Sequence, residues 1–186
     1  MKIISIINQK GGVGKTTTVI NLAAGLSQNK KKILVIDLDP QGNATTGLGL
    51  SNFENSAETI YGVLNGTRSI SSVIKKTKFE NLDIITSNVD LSGLEVETAG
   101  DSRRAFILKD KLMACLKDSS LIYDYILIDC PPSLSLLTVM ALVGSHSLVV
   151  PLQTEFFALE GLTQLMKTID RIKINLNPDL KIRGIL

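Results

Sequence analysis

The chain has no tryptophan, one histidine, two cysteines and five prolines in 186 residues, and only 4% of its side chains are aromatic. Each scarcity narrows the possible functions. Two isolated thiols, Cys115 and Cys130, supply neither a disulfide framework nor a four-ligand metal site, so reduced core thiols are expected. His146 has no histidine or cysteine at metal-ligand spacing and reads as a structural or surface residue, not a catalytic one. An excess of one charge sign is also missing. The 20 basic and 18 acidic residues leave a formal net charge of +2, neither a polyelectrolyte tail nor a strongly basic nucleic-acid footprint. No uninterrupted apolar run is long enough to span a membrane. The apolar run after Met1-Lys2 is too short for a secretory signal. These features predict a soluble cytoplasmic protein with no membrane partner.

What is present is apolar residue, at 44%, and glycine, at 14 positions, which suits one sizeable core with many tight connections. The most informative glycines lie in Lys10-Gly11-Gly12-Val13-Gly14-Lys15-Thr16-Thr17. This stretch follows the strand-like Ile3-Ile4-Ser5-Ile6-Ile7 and precedes a helical pattern from Thr18 to Gln28, in which Val19, Leu22, Ala23 and Leu26 recur at helical spacing. Strand, glycine loop and helix is the context in which backbone N–H groups and a helix N-terminus surround phosphate oxygens. Gly11, Gly12 and Gly14 allow close backbone approach, Lys15 places an ammonium against the outer phosphates, and Thr16 offers a hydroxyl to Mg²⁺. The usual motif begins with a glycine five places before Gly14. Gln9 stands there, so the loop is a variant form.

A second apolar run, Ile33-Leu34-Val35-Ile36, delivers Asp37, Asp39 and Pro40 at its end. A later one, Tyr125-Ile126-Leu127-Ile128, delivers Asp129, with Pro131-Pro132 close behind. Parallel α/β sheets bind ligands beyond the carboxyl ends of their strands, so the loop and these aspartates should share one rim. The metal-site assignment is Thr16 for direct Mg²⁺ coordination, with Asp37 and Asp129 organising the coordination sphere. Asp39 is assigned to position the attacking water. The plain alternative for each aspartate is a turn or helix cap.

Elsewhere, Gln41 to Gly47 reads as loop, Ser56 to Leu64 as a short helix, Leu82 to Ile85 as a strand, and Lys75-Lys76-Lys78 as solvated surface. Arg103 to Lys117 reads as a helix with Ile107, Leu108, Leu112, Met113, Cys115 and Leu116 towards the core. Leu134 to Val143 reads as a helix, Leu148 to Val150 as a strand, Phe157 to Ile172 as a longer helix, and Ile182 to Leu186 as a strand barely begun. The fold class is α/β: a P-loop NTPase-like, mainly parallel sheet flanked by helices.

Lys10 through Thr17, Asp37 through Asn43, Ile128 through Pro132, Val150-Pro151-Leu152-Gln153 and Phe156 through Gly161 together closely resemble the ParA/Soj family of deviant Walker-motif P-loop ATPases. The match covers nearly the whole chain. The resemblance implies ATP and Mg²⁺ as cofactors and an ATP-dependent homodimer that partitions plasmid or chromosomal DNA with a ParB-like partner. Lys10 would reach across the dimer to the partner subunit's nucleotide, while Lys15 acts in its own loop. Members of the family continue past Leu186, so residues 1–186 are expected to be one ATPase domain lacking its carboxyl-terminal portion. Nonspecific DNA binding and nucleoid association are expected of the complete protein and would be weaker here. The alternatives are a MinD-like regulatory or membrane-positioning ATPase and a non-catalytic nucleotide-binding module. Iron–sulfur chemistry is less consistent with two cysteines that show no intersubunit cluster pattern, while small-molecule kinase chemistry stays open from the phosphate loop alone and would be distinguished by transfer of phosphate to an acceptor.

Overall fold

A computed structural model describes residues 1–51, 55–117, 122–154 and 158–186. Its centre is a seven-stranded sheet: β1 (Lys2–Ile6), β2 (Ile33–Asp37), β3 (Ile74–Lys76), β4 (Leu82–Ile85), β5 (Tyr125–Asp129), β6 (Ser147–Val150) and β7 (Lys181–Ile185). The spatial order is β3-β4-β2-β5-β1-β6-β7, and every pairing is parallel except that of β3 with β4.

Both faces of this sheet are covered, which explains why its strands are unbroken apolar runs and do not alternate with polar residues. Ile33 and Val35 face α1 (Lys15–Gln28) and α2 (Asn43–Gly47), packing with Val19, Ala23, Ala44 and Leu48. Leu34 and Ile36 face the other way. There they join a core built with α3 (Ile60–Leu64), α4 (Leu94–Glu97), α5 (Ile107–Lys117), α6 (Leu136–Gly144) and α7 (Ala158–Asn175). Residues 33–36 are all fully buried, and each such side chain contributes roughly 1.5–3 kcal/mol relative to exposure.

Several expectations need correction. The first helix begins at Lys15, three residues before the expected Thr18. Asn43–Gly47, expected as loop, is helical because the fold holds it in place despite poor helix formers. Lys76 and Lys78 are exposed as expected of solvated surface, but Lys75 and Lys76 also lie in a short antiparallel edge strand that had not been expected, where Lys75 pairs with Glu58 and Lys76 with Asp83. Charged side chains on an edge discourage pairing with other chains. In α5, Leu108 and Leu112 enter the core and Cys115 packs against it, but Met113 is 49% and Leu116 38% exposed. Residues one helical step off the buried stripe turn to solvent. The expected helix starting at Phe157 is described only from Ala158, and Phe156 and Phe157 lie outside the described residues.

Candidate active site

The sheet register sets Asp37 directly beside Asp129, and Asp129 beside Ile6 at the end of β1. The carboxylates and the loop leaving β1 therefore meet at one rim.

That loop is anchored before it turns. Asn8 is buried, donates from Nδ2 to the Pro151 carbonyl at 2.7 Å, and accepts the Lys10 N–H on Oδ1 at 3.0 Å. Gly12 and Gly14 then adopt φ of 75° and 87°, left-handed values that side-chain-bearing residues rarely take. A Cβ added to Gly11, Gly12 or Gly14 would meet nothing within 4 Å, so open space lies above the loop. Gly14 caps α1 and accepts the Thr18 N–H at 2.8 Å. Across the rim, Gln153 donates from Nε2 to the Gly12 carbonyl at 3.2 Å.

A cavity of about 300 Å³ lies over the loop, lined by Gly11, Gly12, Gly14, Lys15, Thr16 and Thr17 with Asp39, Asn43 and Pro132. Lys15 is 7% exposed and donates from Nζ to the Lys10 carbonyl at 3.0 Å. Burial lowers its pKa, and the charges of Asp129 and Asp39 partly oppose that. Asp39 accepts the Gln41 N–H on Oδ1 at 3.0 Å.

The two deeper carboxylates differ. Asp37 is fully buried and its oxygens are engaged: Oδ2 accepts the N–H and hydroxyl of Thr45 at 2.8 and 2.7 Å, and Oδ1 accepts the Asp39 N–H at 3.2 Å. Burial raises its pKa to about 6, against those hydrogen bonds. Asp129 is also fully buried, yet neither oxygen closes a hydrogen bond of normal geometry. Burial first, then the neighbouring Asp37 charge, raise its pKa to about 7, while the Thr16 hydroxyl and Lys15 oppose the rise. A buried carboxylate without partners is costly unless something else supplies charge or donors.

The structure thus gathers Gly11, Gly12, Gly14, Lys15, Thr16, Thr17 and Asp39 around one cavity. Asp37 and Asp129 sit behind it. Val13 is buried and instead borders a neighbouring hollow of about 220 Å³ with Asn8, Gln9, Lys10, Leu152, Gln153 and Gly161. The Lys10 side chain is exposed on that side. Asn43 and Pro132 line the main cavity although neither had been assigned a site role; their signal was membership of the motifs following β2 and β5. Asn8 and Gln153 act through partners about 140 positions away, which no local pattern reveals.

The donor set fits a phosphorylated ligand with a hard divalent cation. An open glycine loop and a buried ammonium face the cavity, and the unpartnered Asp129 oxygens stand behind it. Among the described residues no cluster of three His, Cys, Asp or Glu could hold a metal by itself. Mg²⁺ here would accordingly rely on phosphate oxygens and water as well as protein groups.

A strand, glycine loop and helix at the carboxyl rim of a mainly parallel sheet define a P-loop NTPase. Residues 1–182 match the AAA domain family. The chain is 48% identical over 186 residues to the chromosome partitioning protein ParA of Caulobacter vibrioides, spanning all of this chain and 68% of that protein. It is 48% identical over 185 residues to the sporulation initiation inhibitor protein Soj of Bacillus subtilis, spanning all of this chain and 71% of that one. Among solved structures, cobyrinic acid a,c-diamide synthase from Mycobacterium smegmatis with bound ATP analog and magnesium superposes with a TM-score of 0.92 at 36% identity. That superposition covers all of this chain and 74% of the other. A plasmid partition protein from Borrelia burgdorferi bound to AMPPNP gives 0.80 at 35% identity, covering all of this chain and 73% of that one. The chain belongs to the ParA/Soj family of deviant Walker-motif P-loop ATPases. It spans 64 to 71% of the length of the curated partitioning relatives. Among the described residues, no helix is long and apolar enough to cross a membrane.

Proposed function

We propose that this chain binds Mg-ATP over the glycine loop and hydrolyses it, driving a nucleotide-dependent dimerisation switch in plasmid or chromosome partitioning. The observation that carries the proposal is the buried Lys15 ammonium, held by the Lys10 carbonyl, on the same cavity as Asp39 and in front of the unpartnered Asp129 carboxylate.

In this reading the backbone from Gly11 to Thr17 cradles the phosphates, Lys15 neutralises their charge, and the Thr16 hydroxyl is the protein's direct cation ligand. Asp129 and Asp37 organise the coordination sphere, Asp37 by fixing the rim because its own oxygens are occupied. Asp39 orients the attacking water. Mg²⁺, when bound, screens the phosphate charge and stabilises the developing negative charge. Lys10 acts on the nucleotide of a second copy, adding positive charge where the transition state develops it. Residues 1–186 act as one ATPase domain. A ParB-like protein and nonspecific DNA are the macromolecular partners, in the cytoplasm and in association with the nucleoid.

Calorimetry tests the site. Lys15→Ala should weaken Mg-ATP binding by about 10- to 100-fold, the worth of a charge-assisted hydrogen bond. Equal affinity in both proteins would remove Lys15 from its role. Lys10→Ala should leave that affinity intact but abolish ATP-dependent dimerisation in sedimentation; a variant that dimerises like the parent would exclude the intersubunit role.

A further inference from the structure

We propose that Thr45 is a positioning residue for the phosphate site, its hydroxyl joining Asp37 to the segment after β4 and thereby fixing the loop that carries Asp39. The inference rests on the ATPase reading for its kinetic consequence and on geometry alone for its structural one.

Thr45 is fully buried in the first turn of a five-residue helix with the weak helix-forming sequence Asn-Ala-Thr-Thr-Gly. Three hydrogen bonds meet at its N–H and hydroxyl. The N–H donates to Asp37 Oδ2 at 2.8 Å, the hydroxyl donates to the same oxygen at 2.7 Å, and the hydroxyl oxygen accepts the Ser87 N–H at 3.1 Å. A hydroxyl has one proton. The Ser87 amide can only donate, so that proton must go to Asp37, and the orientation of the group is determined.

On one side of this junction lies the reaction centre. Asp37 Oδ1 accepts the Asp39 N–H at 3.2 Å, and the Asp39 carbonyl accepts the Gly42 N–H at 2.9 Å, closing the turn that leads back into α2. Asp39, which lines the cavity, is therefore suspended between Asp37 and the helix containing Thr45. On the other side, Thr86 accepts the Ile60 N–H on its carbonyl at 2.9 Å, tying the start of α3 to the same rim. The hydroxyls of Thr86 and Ser87 are buried without hydrogen-bond partners, and the Ser87 amide and its threonine partner form a polar tie between this segment and α2. Valine at 45 would keep the shape and the backbone bond but leave the Ser87 N–H with no acceptor and Asp37 with one donor fewer.

The test compares Thr45→Val and Thr45→Ser with a neighbouring control, Thr46→Val, whose lost hydroxyl bonds only the Gly42 carbonyl. In the protein without nucleotide, amide hydrogen exchange at Ser87 and Asp39 should quicken at least tenfold in Thr45→Val, return to within twofold of the parent in Thr45→Ser, and stay unchanged in Thr46→Val. In turnover assays, kcat should fall at least tenfold in Thr45→Val with KM for ATP within threefold, and Thr45→Ser should recover it. Unchanged exchange and kcat in Thr45→Val, or an equal loss in the serine and valine variants, would overturn the proposal. If the parent chain hydrolyses no ATP, the ATPase reading fails, while the exchange comparison still decides whether Thr45 holds the loop.

Discussion

The two ends of the sheet treat polar groups in opposite ways. At the amino end, buried and half-buried polar groups find partners within the fold. Ile3 donates its N–H to His146 Nδ1 at 3.0 Å and accepts the His146 N–H at 3.0 Å, so the lone histidine is structural. Asn177 donates from Nδ2 to the carbonyls of Leu142 and Ser145, both at 2.8 Å, closing the end of α6. At the carboxyl end lie buried side-chain atoms without hydrogen-bond partners: Gln9 Nε2 after β1, the Thr86 and Ser87 hydroxyls after β4, and the Asp129 carboxylate oxygens and Ser135 hydroxyl at and after β5. Buried polar atoms left open beside the engaged Asn8 and Asp37 fit a ligand that reaches the carboxyl end of the sheet.

Breaking the open end should impair chemistry, and breaking the closed end should impair stability. The largest expected effect is at Asp39. Asp39→Ala should slow phosphate release by about 100-fold or more, the scale of a lost proton-accepting or water-orienting group, with ATP affinity within threefold. Phosphate-release and binding assays separate the two, and unchanged hydrolysis would remove Asp39 from the mechanism. A smaller effect is expected at the closed end. Asn177→Ala removes the side-chain donor to the Leu142 and Ser145 carbonyls and should destabilise the fold by about 2 kcal/mol, read from urea unfolding. Its Mg-ATP affinity should be unchanged, and a parallel loss of affinity would blur the distinction between the two ends.

Much of the open end was legible in the chain. The glycine loop declares itself by residue type, and Ile33–Ile36 and Tyr125–Ile128 are continuous apolar runs because both faces of a parallel sheet are covered. Their following aspartates are then placed by topology. Long-range ties were not legible. Asn43–Gly47 is helical through Thr45, Asp37 and Ser87, against its local propensity, and the short turns across Val89–Glu97 carry too few residues for a period to show. The edge strand Ile74–Lys76 is three residues long and ends in a lysine pair, so charge masked its pairing. In α5, the apolar stripe was visible but its edges were not, and Met113 and Leu116 turned outwards. The closed end depends on His146 and Asn177 reaching partners more than 30 residues away, a relation with no signature in spacing.

Asp129 is buried beyond what the Thr16 hydroxyl and the Lys15 ammonium offset, a cost we attribute to the ligand, and melting measurements on Asp129→Asn probe that attribution. Its folded-state pKa of about 7 lies above the ordinary value of 3.8, so the folded protein holds the proton to higher pH than the unfolded chain. Asp37, raised to about 6, acts in the same direction. The stability from these protonated carboxyls is fully present below about pH 4 and is lost as pH rises through about 7. Without ligand at pH 8, Asp129→Asn should therefore melt above the parent protein, and its stability should fall less steeply between pH 4 and 7. With saturating Mg-ATP the order should reverse, because the parent regains more from the ligand than the amide does. A variant that melts below the parent without ligand, or that gains as much from Mg-ATP as the parent, would contradict the account.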